Sequence, residues 1–184
     1  GYSFGPHLHL DVFETESGDY IDPMPFFQSK IKDTRAPKAD GILFFPQLGK
    51  GVVDGKQENK TILPNSERPV EAWGVIGVGI KAYDYMDGVN NHYGVYSVVL
   101  TVDGNEIFRS TVDRFSQEEN QMINSWTYGQ YMKSFIDPGN TLRLLKASND
   151  NRGLVTIDEE RDYQFLYTLK DAFGNTSKYS FTVR

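Results

Sequence analysis

The sequence has 184 residues, enough for one full domain and a small additional segment. Hydrophobic residues make up 39% of it, so a substantial core can form and disorder is disfavoured. The net charge of −6 argues against nucleic acid as the main partner, because phosphate binding needs a basic face. Cysteine is absent, which excludes disulfides, thiolate metal ligands and a cysteine nucleophile. No apolar run is long enough to span a bilayer.

The first recognisable element is an alternating stretch at residues 7–13, HLHLDVF, which predicts a β-strand. In a strand, residues i and i+2 point to the same face. His7 and His9 are therefore expected to face one cleft, while Leu8 and Leu10 face a core. Asp11 shares the histidine face. We interpret it as a solvated acidic residue in preference to a weak metal ligand.

The middle of the chain predicts further strands. Residues 17–25 are rich in turn residues and predict a connecting segment. Residues 41–45, GILFF, predict a buried strand that ends at Pro46, and Asp54-Gly55 predicts a hairpin turn. Residues 70–85 form a long alternating segment whose glycines predict bulges or close backbone packing.

The clearest unit is a hairpin over residues 94–112, with its turn at Asp103-Gly104. A short helix is predicted after it, because Ser116 and Glu119 have the spacing of a capping box. The apolar residues Met122, Ile123, Trp126 and Met132 follow with roughly helical spacing, and Gly129 and Pro138 limit its length.

Three further strand regions complete the pattern, at residues 141–145, 153–157 and 163–184, the last of them a hairpin. Short strands, regularly spaced turns and one helix together predict a mostly β fold, a β-sandwich with one short helix.

Residues 5–10 read GPHLHL, with Ser3 two positions before them. This segment resembles the S-x-G-P-H-L-H motif of lysostaphin-type zinc metalloendopeptidases, which cut peptide cross-bridges in bacterial cell walls. The resemblance implies that His9 is a zinc ligand and that His7 acts beside the catalytic water. It also implies a peptidoglycan or cell-envelope partner and an extracytoplasmic location, in the periplasm or cell envelope.

The resemblance covers residues 1–30 at most. A catalytic zinc site needs three protein ligands and an open position, and the family takes the other two from an upstream H-x-x-x-D motif that this sequence lacks. The remaining histidine, His92, has no Asp four residues later. Because the sequence does not begin with Met, we expect it to start inside a longer protein. We therefore expect zinc in that parent, no zinc in this chain, and no peptidase activity from this chain alone.

The rest of the chain resembles, more loosely, the bacterial immunoglobulin-like domains that follow such peptidases. The similarity lies in residues 82–84, Ala-Tyr-Asp, and in the D-x-x-G-N turn at residues 171–175. It implies two units: residues 1–30, the C-terminal remnant of the peptidase domain, and residues 31–184, an immunoglobulin-like β-sandwich in which residues 113–153 are an insertion. The remnant strand at residues 7–13 is expected to dock on the sandwich edge or to pair with a second chain.

Other functions stay open. The oxygen-rich run Asp84, Asp87, Asn90 and Asn91 offers calcium ligands, but EF-hand spacing is missing and turn formation is favoured. Trp73 and Trp126 offer a sugar-stacking platform, although aromatic residues in sandwiches more often pack in the core. A non-catalytic module that binds the cell wall, a glycan or a protein is the alternative to the enzyme, as is a regulator derived from an inactive peptidase.

Overall fold

A computed structural model describes residues 5–184 and is mostly β, with two large antiparallel sheets packed around the main core and a third, small sheet beside them. It confirms the predicted β-sandwich with a short helix. The strands are β1 (Val12–Phe13), β2 (Tyr20–Ile21), β3 (Lys38–Val53), β4 (Lys60–Ile62), β5 (Ala72–Tyr83), β6 (Ser97–Val102), β7 (Asn105–Thr111), β8 (Arg114–Phe115), β9 (Thr127–Tyr128), β10 (Tyr131–Lys133), β11 (Leu145–Ala147), β12 (Val155–Ile157), β13 (Tyr163–Lys170) and β14 (Thr176–Val183). The helices are α1 (Met24–Phe27), a 3₁₀ helix (Glu119–Met122) and α2 (Ile123–Trp126).

The first large sheet has the strand order β4-β3-β5-β10-β9, and β12 also pairs with β5. The prediction that Pro46 ends its strand is wrong, because β3 continues to Val53. The ladder between β3 and β5 instead shifts register between Pro46 and Gly51, and this irregularity accommodates the missing amide of proline. Gly51 lies opposite Gly74, where a Cβ on either residue would overlap a backbone carbonyl. The close backbone packing predicted from the glycines of β5 is confirmed.

The second large sheet has the order β11-β7-β6-β13-β14. Its two long hairpins are those predicted from the sequence at residues 94–112 and 163–184. Asp103 and Gly104 both have positive φ, 50° and 81°, as a two-residue hairpin turn requires. Asp54 and Gly55 adopt the same conformation, so the predicted turn there is also confirmed.

The core lies between the two large sheets. Phe44 of the first sheet meets Phe181 of the second edge to face, with ring centroids 5.6 Å apart. Tyr167 is fully buried, and its hydroxyl is hydrogen-bonded to that of Ser134 at 2.8 Å. Burial of these aromatic rings accounts for much of the hydrophobic stabilisation, since each removes a large apolar area from water.

The predicted capping box forms. The amide of Ser116 donates to a Glu119 carboxylate oxygen at 2.8 Å, and the Glu119 amide donates to the Ser116 hydroxyl at 3.2 Å. The helix after it is short and ends at Trp126. Met132 was expected on the same helix but lies in β10, because the chain turns at Gly129, where φ is +57°.

Residues 113–153 add strands to both large sheets rather than forming a separate insertion layer. Strand β10 pairs with β5, whereas β11 pairs with β7. The strand predicted at residues 141–145 is displaced, since β11 begins only at Leu145. The preceding residues instead form a turn held by Asn140, whose side-chain oxygen accepts the amide of Leu142.

The strand predicted over residues 7–13 is wrong for most of its length, because only Val12 and Phe13 are in a strand. They pair with β2, which pairs with β8, and these three short strands form a small sheet apart from the two large ones. An extended segment becomes a strand only where another strand takes up its backbone hydrogen bonds, and β2 is only two residues long. No helix among residues 5–184 is both long and apolar enough to cross a membrane.

Candidate functional site

The two histidines of the GPHLHL segment lie together on one side of the chain. The Nε2 atoms of His7 and His9 are 2.7 Å apart, and the ring centroids are 4.6 Å apart. The His7 Nδ1 atom lies 3.1 Å from the carbonyl oxygen of Gly5. Both rings are exposed to solvent. The structure therefore brings together the two side chains that the sequence singled out.

The opposite side of this segment is not packed in a core. The side chain of Leu8 is 92% exposed, and Leu10 is also exposed, contrary to the expectation that they face a core. No strand within residues 5–184 covers them, since residues 7–11 are in no sheet. Asp11 is exposed, as its interpretation as a solvated residue requires. Ser3 lies outside the described residues.

No third metal-ligating side chain lies beside the two histidines within residues 5–184. The one group of three such side chains in this part of the chain is located elsewhere. His92 is packed among aromatic rings. It stacks on Tyr83 with centroids 4.6 Å apart, and its Nε2 atom lies 2.6 Å from the hydroxyl of Tyr85. The His92 imidazole therefore packs against aromatic side chains at the end of β5.

The group of three comprises Asp33, Asp84 and Asp171, which we call the aspartate cluster. One carboxylate oxygen from each lies within 4.8 Å of the others. The three residues come from different elements: Asp33 precedes β3, Asp84 follows β5 and Asp171 follows β13. The cluster is therefore located at the end of the sandwich where the N-terminal segment enters it.

Burial and mutual repulsion govern the electrostatics of the cluster. Removal from water raises the pKa of Asp84 to about 6, and the charges of Asp171 and Asp33 act in the same direction. A hydrogen bond from the backbone of Tyr85 and the charge of Arg35 oppose this rise in pKa. The Arg35 guanidinium lies over the Tyr85 ring, 4.5 Å from its centroid, rather than on a carboxylate.

The sequence drew attention to Asp84 but missed its partners. Asp87, another oxygen donor of the same run, is not in the group and accepts a hydrogen bond from Thr34 at 3.0 Å. Asp33 and Asp171 were not proposed as ligands, because no local spacing connects segments so far apart in the chain. The sequence features already noted include Asp84, at the end of residues 82–84, and Asp171, at the start of the D-x-x-G-N turn, but no pattern marks Asp33.

The two tryptophans do not form a shared platform. Trp126 is buried, and its indole N–H donates to the carbonyl of Lys133 at 3.0 Å. Trp73 is 51% exposed and lines an open cavity of about 430 Å³. Glu71, Glu159 and Arg184 line the same cavity, so an exposed indole lies beside charged groups.

A second cavity, of about 490 Å³, lies between the N-terminal segment and the sandwich and is mostly apolar. Its lining includes Met24, Tyr96 and Phe115, with Asp84 as one of its few acidic groups. The aspartate cluster is thus in contact with an open space through Asp84.

Comparison with protein-family models, with curated proteins and with solved structures found no match for this chain. The resemblance to a peptidase therefore depends on the GPHLHL segment and its geometry.

Proposed function

We propose that this chain is the C-terminal part of a zinc-dependent peptidoglycan endopeptidase that acts in the periplasm or cell envelope. The observation that supports the proposal is the pairing of His7 and His9, whose Nε2 atoms lie 2.7 Å apart in the GPHLHL segment. The two Nε2 atoms lie within hydrogen-bond distance of each other, so a proton can pass between the rings. Imidazole nitrogen is also a common zinc ligand.

In this proposal His9 would be a zinc ligand, and His7 would accept and return a proton beside it. Zinc held there would lower the pKa of a coordinated water and polarise the scissile carbonyl. A catalytic site of this type takes three protein ligands, of which residues 5–184 supply one. We propose that the other two lie upstream in the parent protein, so that this chain alone neither retains zinc nor cleaves peptidoglycan.

The test uses the full-length parent and purified cell walls. We expect chelator-sensitive release of peptides. His9→Ala should lose bound zinc and activity together, whereas His7→Ala should retain zinc and lose activity. His92→Gln is the matched control and should retain both. A parent that holds no zinc, or that digests walls equally well with His9→Ala, would refute the assignment.

A second candidate function is a non-catalytic module that binds cell-wall glycan, with Trp73 as the contact. The exposed indole of Trp73 beside Glu71 and Glu159 is an arrangement suited to sugars, which stack on aromatic faces and donate hydroxyls to carboxylates. We expect the 184-residue chain to sediment with purified sacculi. Trp73→Ala should weaken its binding to sacculi at least fivefold. Tyr128→Ala, which changes another exposed aromatic residue, should have no effect. Equal binding to sacculi by both variants would exclude Trp73 as the glycan contact.

We also propose that residues 7–13 pair with a second copy of the chain. Leu8 and Leu10 present exposed apolar surface here, and residues 7–11 belong to no sheet within residues 5–184. Light scattering after size-exclusion chromatography should show a dimer that Leu8→Asp converts to a monomer. A monomeric wild-type chain at high concentration would contradict the pairing.

A further inference from the structure

The aspartate cluster is buried more deeply than carboxylates normally are without a counter-charge. Asp33, Asp84 and Asp171 are 8%, 6% and 2% exposed. None of them forms an ion pair with a Lys, Arg or His side chain elsewhere in residues 5–184. Three carboxyl groups in one buried space repel one another unless a cation or protons neutralise them.

Two oxygens of the cluster also lack hydrogen-bond partners. Asp33 Oδ2 and Asp84 Oδ1 are buried, and neither accepts a hydrogen bond from any of residues 5–184. A buried unpaired acceptor is costly, and it is rare in folded proteins. These two atoms therefore point to a ligand that the protein chain itself does not provide.

The remaining oxygens hold the carboxylates in fixed orientations. Asp33 Oδ1 accepts the amides of Arg35 and Asp87, at 3.1 and 3.2 Å. Asp171 Oδ1 accepts the amides of Phe173 and Asn175, at 2.9 and 2.8 Å. The Asn175 side chain donates to Asp171 Oδ2 and also to the carbonyl oxygen of Asp33, and so connects two members of the cluster. A preorganised set of ligands loses little entropy when it binds an ion.

We propose that the aspartate cluster is a binding site for a single Ca²⁺ ion. The set consists only of oxygen donors, which hard cations prefer over the nitrogen and sulfur donors of zinc sites. Ca²⁺–oxygen distances of about 2.3–2.6 Å place ligand oxygens up to about 5 Å apart across the ion, and the spacing of at most 4.8 Å fits this range. Water that enters through the apolar cavity lined by Asp84 completes the coordination.

The ion would join three parts of the chain that meet at one end of the sandwich. It would bind Asp33 in the segment that leads into β3, Asp84 directly after β5 and Asp171 directly after β13. Ca²⁺ binding therefore stabilises the junction between the N-terminal segment and the sandwich. This inference is independent of the peptidase proposal, because it uses none of the histidines.

The test is calorimetric titration of the chelator-treated 184-residue chain with CaCl₂, together with thermal unfolding. We expect one site, and a Tm increase of about 4 °C at a free Ca²⁺ concentration roughly tenfold above the Kd. Asp84→Asn should weaken Ca²⁺ binding at least tenfold. In chelator, the same variant should unfold about 3 °C above the wild type, because it removes one of the repelling charges.

Asp150→Asn is the matched control, since Asp150 is exposed and outside the cluster, and it should bind Ca²⁺ like the wild type. Asp33→Asn serves as the second variant if Asp84→Asn fails to fold by circular dichroism. Absence of Ca²⁺ binding at millimolar concentration, or undiminished binding by the cluster variants, would overturn the proposal. Equal or tighter binding of Mg²⁺ would overturn the assignment to calcium.

Discussion

Arg143 donates a hydrogen bond from its Nη2 atom to Oδ1 of Asp19 at 2.8 Å, across 124 positions of sequence. The same guanidinium contacts Glu119, whose carboxylate also accepts the backbone amide of Arg143. Arg143 therefore connects the N-terminal segment to the 3₁₀ helix that begins at Glu119. This hydrogen bond holds the pKa of Asp19 below its usual range.

Removal of this contact should loosen the N-terminal segment. Strands β1 and β2 are two residues each and have few backbone hydrogen bonds of their own. In Asp19→Asn we expect amide hydrogen exchange in residues 12–21 to increase several-fold, with little change in β13. Glu16→Gln, at an exposed glutamate of the same segment, is the control. Unchanged exchange in Asp19→Asn would show that other contacts hold the segment.

Stability should fall at acidic pH through Glu119. Its hydrogen bonds with Arg143 lower its pKa from 4.5 to about 2. Since the pKa is lower in the folded state, the stabilisation is complete above about pH 4.5 and is lost as the pH falls toward 2. Urea unfolding at a series of pH values should show this loss, and Glu119→Gln should remove it while costing about 2 kcal/mol at neutral pH.

The control for that experiment is Glu118→Gln, because Glu118 is the exposed neighbour of Glu119. We expect its stability to depend on pH as in the wild type. An equal pH response in the Glu119 and Glu118 variants would contradict the role of the Arg143 contact.

The opposed glycines of β3 and β5 should tolerate no side chain. In Gly51→Ala the new Cβ would overlap the carbonyl oxygen of Val75, so the backbone of one strand must move. We expect a loss of about 3 kcal/mol in the free energy of unfolding, measured by urea denaturation. Gly94→Ala has open space around the added Cβ and should change stability little. Similar losses in the free energy of unfolding for the two variants would mean that β3 and β5 move apart without cost.

The buried hydroxyl pair should contribute measurably to stability. Tyr167→Phe leaves the Ser134 hydroxyl without its 2.8 Å partner inside the core. We expect a loss of about 1.5 kcal/mol by chemical denaturation, typical of an unsatisfied buried polar group. Tyr128→Phe removes a hydroxyl from an exposed ring and should be neutral. A stability of Tyr167→Phe equal to that of the wild type would indicate that Ser134 finds another acceptor.

The sequence by itself determined the local structure. Asp-Gly pairs adopt positive φ readily, so the turns at Asp54-Gly55 and Asp103-Gly104 were predictable from two residues each. The capping box of Ser116 and Glu119 was predictable because its hydrogen bonds join residues only three apart. Alternation and turn spacing also sufficed for the β-sandwich. His7 and His9 lie together as predicted, although residues 7–11 are not in a strand.

Tertiary structure alone decided which distant segments meet. Pro46 stays within β3 because a register shift opposite β5 accommodates it, and no local pattern encodes that shift. The aspartate cluster draws on positions 33, 84 and 171, which come together only when the N-terminal segment, β5 and β13 end at the same point. Burial, and with it the unpaired oxygens that suggest a cation, exists only after the sheets have packed.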